Sequence, residues 1–431
     1  MGRERTGRHE RGTNTVREDR GPVRYGPPAP WPGLPVLPEL AEVLASAAGR
    51  AAPEPAGGSA ALREAACAYW ERRGLHGGPG RVAAAPGTAP LLLALIAAHG
   101  GDVLLPRPCP ASWIPQARLL GRPAYQVPTP AECGGVPDPY ALLETVRRVR
   151  AEGGRPRLLL LSVADDPTAT VAPPELLREA CEAAVDEGLH IVSDETWRDT
   201  LHRPDETVQF SPAEMLPDRV TVLTDLAGPF LPPGWPAAVA HFPGTADGAG
   251  LRARVLDVLT ALGARVADPV AAAAAHALDE PADVTARLTA SVRLHARVAT
   301  AVHAAVVRAG ALARPPAAGR HLYADLDPLR PALAAHGVGD AQELEEFLGA
   351  RLGRPVPGGH RFGDDLDALR VRLSTGPLLG TDPEERLRCL DAPDPTEMPH
   401  VRDALIRLGA VLDDLRPAGR PGRPPPRDGD D

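Results

Sequence analysis

In the middle of the chain, apolar runs typical of buried strands alternate with an amphipathic segment typical of a helix. The continuous apolar run 157–164 predicts a buried strand, and the mainly apolar segments 189–193, 219–224 and 237–242 predict three more. The amphipathic segment 173–187 lies between the first two of these strands and predicts a helix, with proline at its start and Gly188 at its end. Strand, helix and strand at this spacing indicate an α/β fold with a mostly parallel sheet. Ligands of such sheets bind at the carboxyl ends of the strands.

Apolar residues at helical spacing predict further elements on either side of this sheet. Three segments have the period of a helix: 59–73, 90–99 and 285–309. After the longest of them we expect a strand, a helix and a second strand, at 321–325, 341–352 and 369–374. These last elements indicate a smaller α+β domain that follows the large one.

The composition of the segments divides the chain into five parts. Residues 1–28 are rich in charge and poor in apolar residues, and 416–431 consist mainly of proline, glycine and charged residues, so both ends are predicted to be disordered. Between them we expect an N-terminal segment over 29–50 that packs with the small domain. A large domain over 51–283 follows, and then a linking helix with the small domain over 284–415.

Overall composition excludes several classes of function. Hydrophobic residues make up 43% and charged residues 24% of the chain, and the net charge of −9 argues against a nucleic-acid partner. The longest apolar run, 91–98, is too short to span a membrane, and the charged N-terminus has no secretory pattern. Five scattered cysteines indicate a reduced, cytoplasmic chain without disulfides or a metal site.

Lysine is absent from the sequence. All 47 basic residues are arginine, although lysine is normally among the commonest residues. A coding bias toward G and C is the simpler explanation, since alanine, proline and glycine are also abundant; selection against modifiable amines is the alternative. In either case this chain cannot form an imine through a lysine side chain.

Short blocks of residues stand in an order typical of one enzyme family. The blocks are Gly58 with Leu62-Arg63, Gly87-Thr88-Ala89, Gly101-Asp102-Val103-Leu104 with Pro108, Asp166-Pro167-Thr168-Ala169-Thr170, Asp194-Glu195-Thr196-Trp197, Gly234-Trp235 and Val371-Arg372-Leu373-Ser374. In these blocks the chain resembles the class I/II aminotransferases of the fold type I pyridoxal-phosphate group. The resemblance covers nearly all of the chain between its two ends. It implies a large domain with a sheet between helices, a smaller α+β domain, a homodimer, and pyridoxal phosphate as cofactor for amino-group transfer.

The same resemblance reveals losses at the positions that carry the family's chemistry. The family's S-x-S-K segment corresponds to Asp225-Leu226-Ala227-Gly228, so that Gly228 occupies the position of the imine-forming lysine. The residues that follow, through Trp235, match the family's pattern without a gap, so the alignment of Gly228 with the lysine position is fixed. An arginine and a tyrosine that contact the cofactor phosphate correspond to Pro236 and Pro53. Covalent attachment of pyridoxal phosphate is therefore impossible, and no catalytic residue is assigned.

At some positions that bind the cofactor in the family, this chain still has a polar group that could contact a ligand. Backbone N–H groups of Gly87, Thr88 and Ala89 could hold an anion at a helix start, although an ordinary loop-to-helix turn explains them equally well. Asp194 stands where the family's carboxylate pairs with the pyridine nitrogen; a strand-end carboxylate bonded to local backbone is the alternative. Asp166 replaces an amide and cannot donate a hydrogen bond unless it is protonated.

Two further positions shape the expected ligand. Trp197 replaces a tyrosine, and its indole lacks the hydroxyl but fills more of the pocket. Arg372 stands where the family's arginine binds the substrate carboxylate, a task suited to a planar fork of donors. A salt bridge within the small domain is the alternative explanation of Arg372, and Arg370 is the alternative candidate for the carboxylate.

The losses predict weak binding of the cofactor phosphate. One charge-assisted and two neutral hydrogen bonds are missing, which costs roughly 3–6 kcal/mol, or about a hundredfold to ten-thousandfold in affinity. Asp225 would add like-charge repulsion if it faced the phosphate position, and it is also the nearest candidate to replace the lysine as a base.

Three hypotheses remain open at this point. The first is a pseudoenzyme that binds a small amino acid or carboxylate, or that partners an active aminotransferase. The second is an enzyme that uses pyridoxal or pyridoxamine phosphate without a covalent bond, or that catalyses other chemistry in the same cleft. The third is a purely structural or interaction protein. Standard transamination through an imine is excluded because the chain has no lysine.

Overall fold

The strands form two separate sheets. A computed structural model describes residues 22–49 and 53–416, so the predicted tail, apart from Arg416, and most of the predicted arm lie outside the described residues. The strands are β1 (Val82–Ala85), β2 (Asp102–Arg107), β3 (Ala124–Pro128), β4 (Pro156–Ser162), β5 (His190–Asp194), β6 (Val220–Asp225), β7 (Ala238–His241), β8 (Leu312–Ala313), β9 (His321–Asp325) and β10 (Arg370–Ser374). The first seven form one sheet in the order β1-β7-β6-β5-β4-β2-β3, and the last three form another in the order β10-β9-β8. We call these two parts, with their helices, the large and the small lobe.

The large sheet is parallel except at one edge. Pairs β2–β3, β2–β4, β4–β5 and β5–β6 are parallel, whereas β7 runs antiparallel to both β6 and β1. This is the mostly parallel sheet predicted from the apolar runs. The sequence pattern did not predict β1, β2 and β3.

Helices cover the sheets and connect the two lobes. They are α1 (Pro38–Ala47), α2 (Ala60–Glu71), α3 (Thr88–His99), α4 (Trp113–Leu119), α5 (Pro139–Ala151), α6 (Pro174–Asp186), α7 (Pro212–Met215), α8 (Ala246–Ala261), α9 (Asp268–Leu278), α10 (Ala282–Arg308), α11 (Arg330–Ala335), α12 (Ala341–Leu352), α13 (Pro383–Asp391) and α14 (Pro399–Asp413). The long α10 links the lobes. None of the helices in the described residues is long and apolar enough to cross a membrane.

Successive residues of the central strands pack on opposite faces of the large sheet. On β4, Leu159 and Leu161 belong to one core and Leu158 and Leu160 to the other. The first core also takes side chains of α2, α5, α6 and α9, and the second takes those of α3, α4 and α8. Because both faces are covered, the strand is apolar throughout, as its unbroken leucine run predicts.

The N-terminal segment contacts both lobes. Helix α1 packs against α9 of the large lobe, whereas Leu34 packs against the core of the small lobe. Residues 22–28, the carboxyl end of the predicted arm, also contact the small lobe. There the Tyr25 ring meets the His360 ring edge-on at 5.8 Å, and the Arg361 guanidinium donates to the Gly26 carbonyl at 2.7 Å. These contacts place the segment across one side of the cleft between the lobes.

Helix α12 of the small lobe begins at a capping box that offers a stability test. The Asp340 carboxylate accepts the N–H groups of Gln342 and Glu343 at 3.1 and 2.9 Å. We expect Asp340→Ala to lower the free energy of unfolding by about 1 kcal/mol, because these N–H groups lose their acceptor. Asp340→Asn keeps an accepting oxygen and should lower the free energy of unfolding by only about 0.3 kcal/mol. Urea unfolding measures both, and equal losses in the two variants would contradict the capping role.

Candidate functional site

Three strands of the large sheet bring carboxylates to one edge. Asp194 and Asp225 are the last residues of β5 and β6, and Asp166 follows β4. Parallel neighbouring strands end at the same edge of a sheet, so these side chains lie together at the cleft. The Asp194 carboxylate accepts the N–H of Thr196 at 2.9 Å. Burial, with a smaller contribution from the charges of Asp225 and Asp166, raises the pKa of Asp194 to about 7, although its hydrogen bonds with Thr196 oppose the shift.

The start of α3 is already occupied by a carboxylate of the chain itself. Asp225 Oδ2 accepts the Thr88 N–H at 3.1 Å and the Thr88 hydroxyl at 2.7 Å, and Asp225 Oδ1 accepts the Ala227 N–H at 2.8 Å. This is the helix start where Gly87, Thr88 and Ala89 were expected to hold the cofactor phosphate. Burial raises the pKa of Asp225, although the hydrogen bonds from Thr88 oppose this shift.

Gly228, at the predicted lysine position, faces an arginine that sequence reasoning missed. An Nη2 of Arg320 donates to the Gly228 carbonyl. A Cβ placed on Gly228 would lie 3.7 Å from Trp197 Cη2 and 4.0 Å from Arg320 Nη1. The Arg320 guanidinium carbon also lies 5.6 Å from the centroid of the Trp197 ring. The space beside Gly228 is therefore bounded by an indole and a guanidinium.

The strand pattern holds one signal that could have revealed Arg320. It immediately precedes β9, in register with Leu322 and Ala324, which are both buried. Because alternate residues of a strand face the same side, an arginine in this register is expected to point inward. An inward charged residue at a strand end is a better site candidate than an exposed one.

Arg372 lies in the cleft but already has an acidic partner. Its Nη1 donates to Asp166 Oδ1 at 2.8 Å, and its guanidinium carbon lies 4.6 Å from the Phe362 ring centroid. The alternative candidate, Arg370, instead pairs with Asp325 and Asp364 at 3.0 Å each. The structure therefore brings Arg372 and Asp166 together, and places Arg370 in an ion-pair network of the small lobe.

Two cavities of opposite charge lie side by side in the cleft. The acidic cavity, about 170 Å³, is lined by Asp194, Asp225, Thr88, Thr196, Trp113 and other residues. The basic cavity, about 200 Å³, is lined by Arg320, Arg372, Arg386, His295, His321 and a proline-rich part of the N-terminal segment. Trp197 and Ala227 line both cavities and so lie between them. The described residues contain no cluster of three or more side chains suited to a metal ion.

Pyridoxal phosphate does not fit this cleft. Its phosphate would compete with the Asp225 carboxylate for the Thr88 N–H, and two anions cannot share that donor without repulsion. Its aldehyde has no lysine to bind, and the space beside Gly228 borders Arg320. Asp194 alone retains the position expected of a group that pairs with the cofactor ring. We therefore derive no chemistry through this cofactor.

Asp194 predicts a pH dependence of stability. Its pKa in the folded protein, about 7, lies above the value of ~3.9 in an unfolded chain. The folded state thus binds more protons between these pH values, and the free energy of unfolding falls as the pH rises through this window. We expect Asp194→Asn to be more stable than the wild type at about pH 8 and equally stable below about pH 4. Urea unfolding across this range checks it.

The control for this measurement is the exposed Asp205. Asp205→Asn should leave the pH profile of the wild type unchanged, because this side chain lies on the surface. Parallel profiles for Asp194→Asn and the wild type would contradict the shifted pKa of Asp194.

Sequence relatives of the chain are aminotransferases. The family model described as aminotransferase class I and II matches residues 35–348. The probable aspartate/prephenate aminotransferase of Thermus aquaticus is 31% identical over 195 residues, which are 44% of this chain and 49% of that protein. The aspartate/prephenate aminotransferase of Thermus thermophilus is 32% identical over 136 residues, which are 32% and 33% of the two chains. The matched regions thus span half or less of these relatives.

Solved structures share the fold over almost the whole chain. The N-succinyldiaminopimelate aminotransferase of Mycobacterium tuberculosis has a TM-score of 0.71 at 25% identity, over 90% of this chain and 93% of that one. The aspartate aminotransferase of Thermus thermophilus with maleate has a TM-score of 0.70 at 23% identity, over 90% of each chain. The two-lobed architecture is thus that of the fold type I aminotransferases. The chain belongs to the class I and II aminotransferase family, which generally uses pyridoxal phosphate.

Proposed function

We propose that this protein is a pseudoenzyme of the aminotransferase family that binds a small amino acid or carboxylate in the cleft. The proposal rests on what lies at two positions where the family resemblance predicts cofactor contacts, the phosphate position and the lysine position. At each of them the chain places a charged side chain of its own. The Asp225 carboxylate occupies the start of α3, and the Arg320 guanidinium lies beside Gly228. The basic cavity supports a ligand-binding role over a purely structural one, because about 200 Å³ remains open next to several cationic side chains.

The charge around the basic cavity indicates the sign of the ligand. Arg320, Arg372 and Arg386 line it, and no acidic side chain among the described residues does so. Burial lowers the pKa of His295 and of His321 well below the ordinary value, so both imidazoles are neutral at pH 7. The arginines therefore supply the positive charge, which favours a carboxylate over a neutral or cationic ligand.

The proposal predicts that pyridoxal phosphate and pyridoxamine phosphate bind poorly. We expect no saturable change of tryptophan fluorescence or of cofactor absorbance up to about millimolar cofactor, since the missing hydrogen bonds cost roughly a hundredfold or more in affinity. Micromolar saturable binding would instead favour an enzyme that uses the cofactor without a covalent bond.

Calorimetry with a panel of small carboxylates and amino acids tests the ligand-binding role directly. We expect at least one carboxylate to bind, and no amino-group transfer to a keto acid in the presence of either cofactor. Failure of the whole panel to bind would favour the structural hypothesis. Turnover would show that the protein is an enzyme.

We further propose a homodimer, because the family builds its site at a subunit interface. Size-exclusion chromatography with light scattering should give twice the chain mass of 45.2 kDa. An additional peak with an active aminotransferase would support the partner role that we kept as an alternative.

We also propose a cytoplasmic location. The five cysteines are unpaired and buried, which is compatible with a reducing compartment.

A further inference from the structure

Arg320 and Arg386 both line the basic cavity without an ion pair to any described residue, but Arg386 donates three hydrogen bonds and the Arg320 guanidinium donates one. The hydrogen bond of Arg320 goes to the Gly228 carbonyl. Burial lowers the pKa of Arg320 to about 10, and it therefore remains charged at neutral pH. A partly buried charge without a countercharge is unfavourable, and an anion placed against it offsets that cost.

The other two arginines of this cavity are already engaged. Arg372 is neutralised by Asp166 at 2.8 Å. Arg386 donates to three carbonyl oxygens, those of Gly33, Thr381 and Asp382, at 2.8 to 3.2 Å. An incoming anion can thus bind Arg320 without meeting a carboxylate, whereas at Arg372 the Asp166 carboxylate already holds Nη1 and repels a second anion, although the buried Arg372 Nε has no hydrogen-bond partner among the described residues.

The basic cavity also has apolar walls beside its arginines and histidines. Two indoles line the basic cavity, those of Trp31 and Trp197, and the remaining wall is mostly proline and leucine: Pro28, Pro30, Pro32, Leu34, Pro233 and Pro377. Aromatic rings gain from stacking on such surfaces beyond the burial of their area. A ligand that only supplied charge would leave these walls without a partner.

We propose that Arg320, rather than Arg372, binds the carboxylate of the ligand, and that the ligand is a small carboxylic acid with an aromatic body. This inference rests on the proposed function and specifies its ligand class. The planar guanidinium matches the two oxygens of a carboxylate, and the ring lies against Trp197 and the proline-rich segment. Arg372 then acts as a positioning residue that holds Asp166.

Three probes separate the charge from the ring. Phenylacetate carries both groups, acetate lacks the ring, and phenylacetamide keeps the ring without the charge. We expect calorimetry at pH 7 to show binding of phenylacetate, with acetate and phenylacetamide each at least tenfold weaker. Equal affinity of acetate and phenylacetate would overturn the aromatic body, and equal affinity of phenylacetate and its amide would overturn the role of the charge.

Two matched variants assign the carboxylate to one arginine. Arg320→Gln should weaken phenylacetate at least tenfold, whereas Arg203→Gln, an exposed control on another loop, should leave its affinity unchanged. Circular dichroism confirms the fold of each variant, and the comparison of phenylacetate with its amide in the wild type does not depend on them.

Arg372→Gln distinguishes this inference from the broader proposal. A large loss in Arg372→Gln with none in Arg320→Gln would overturn the assignment to Arg320 and leave the carboxylate pocket intact. Absence of binding by every carboxylate and amino acid would overturn the proposed function itself.

Discussion

Gly228→Lys is expected to form no covalent adduct with pyridoxal phosphate. Gly228 has φ of +118°, a backbone conformation that residues with a side chain rarely adopt, so lysine is strained there. A side chain at this position also meets Trp197 and the Arg320 guanidinium, whose charge disfavours a second cation nearby. Borohydride reduction followed by peptide mass mapping should show no added mass on residue 228, with the α-amino group, which also forms imines, mapped separately.

The groups around Gly228 indicate which further substitutions an adduct would require. Gly228→Lys combined with Arg320→Ala and Asp225→Ser removes the competing cation, its bulk and the carboxylate that opposes the phosphate, and it should give a detectable adduct at high cofactor concentration. Gly228→Ala measures the backbone strain separately through its unfolding midpoint. An adduct in the Gly228→Lys single variant would contradict our account of the role of Arg320.

The sequence pattern predicted the centre of the large sheet because strands that are buried on both faces consist mainly of apolar residues. Strands β4, β5 and β6 are mainly apolar and almost entirely buried, and the carboxylates Asp194 and Asp225 stand where the latter two end. The short strand β1 consists mainly of alanine, a weak strand former, so its pairing with β7 depends on long-range packing that a local pattern does not record.

Candidate site residues were predictable as types and positions, but their partners were not. Arg372 and Asp166 were each predicted for the cleft, yet their ion pair joins residues 206 positions apart in the sequence. Asp225 was expected to repel a phosphate if it faced the phosphate position, and it hydrogen-bonds Thr88, 137 positions away, at the helix start where that position was predicted. Such pairings require the folded geometry, because no local spacing encodes them.

If the protein binds no cofactor, as we propose, Asp225 and Arg320 together explain how the family fold persists without it. The helix start and the lysine position are sites that the family stabilises with an anion and a cation. In this chain the Asp225 carboxylate supplies the anion and the Arg320 guanidinium supplies the cation. The cleft therefore needs no phosphate ligand to satisfy the Thr88 N–H, and this sets the condition for recovering a phosphate site.

The double variant Asp225→Ser/Pro236→Arg is expected to create affinity for inorganic phosphate at the start of α3. Serine frees the Thr88 N–H, and position 236 is close enough to contribute, since Pro236 Cβ lies 3.7 Å from a Cβ placed on Gly87. One charge-assisted and one neutral hydrogen bond add roughly 2–4.5 kcal/mol, or about thirtyfold to two-thousandfold in affinity. Calorimetry with phosphate measures this gain.

Asp225→Asn is the matched control for this variant. Asparagine removes the negative charge but keeps an oxygen that can accept the Thr88 N–H, so the helix start stays occupied and phosphate should gain much less than in the double variant. Pro236→Arg alone leaves Asp225 in place, where the new guanidinium would pair with the carboxylate instead of binding phosphate. If the double variant bound phosphate no better than the wild type, the carboxylate of Asp225 could not be what keeps the anion out.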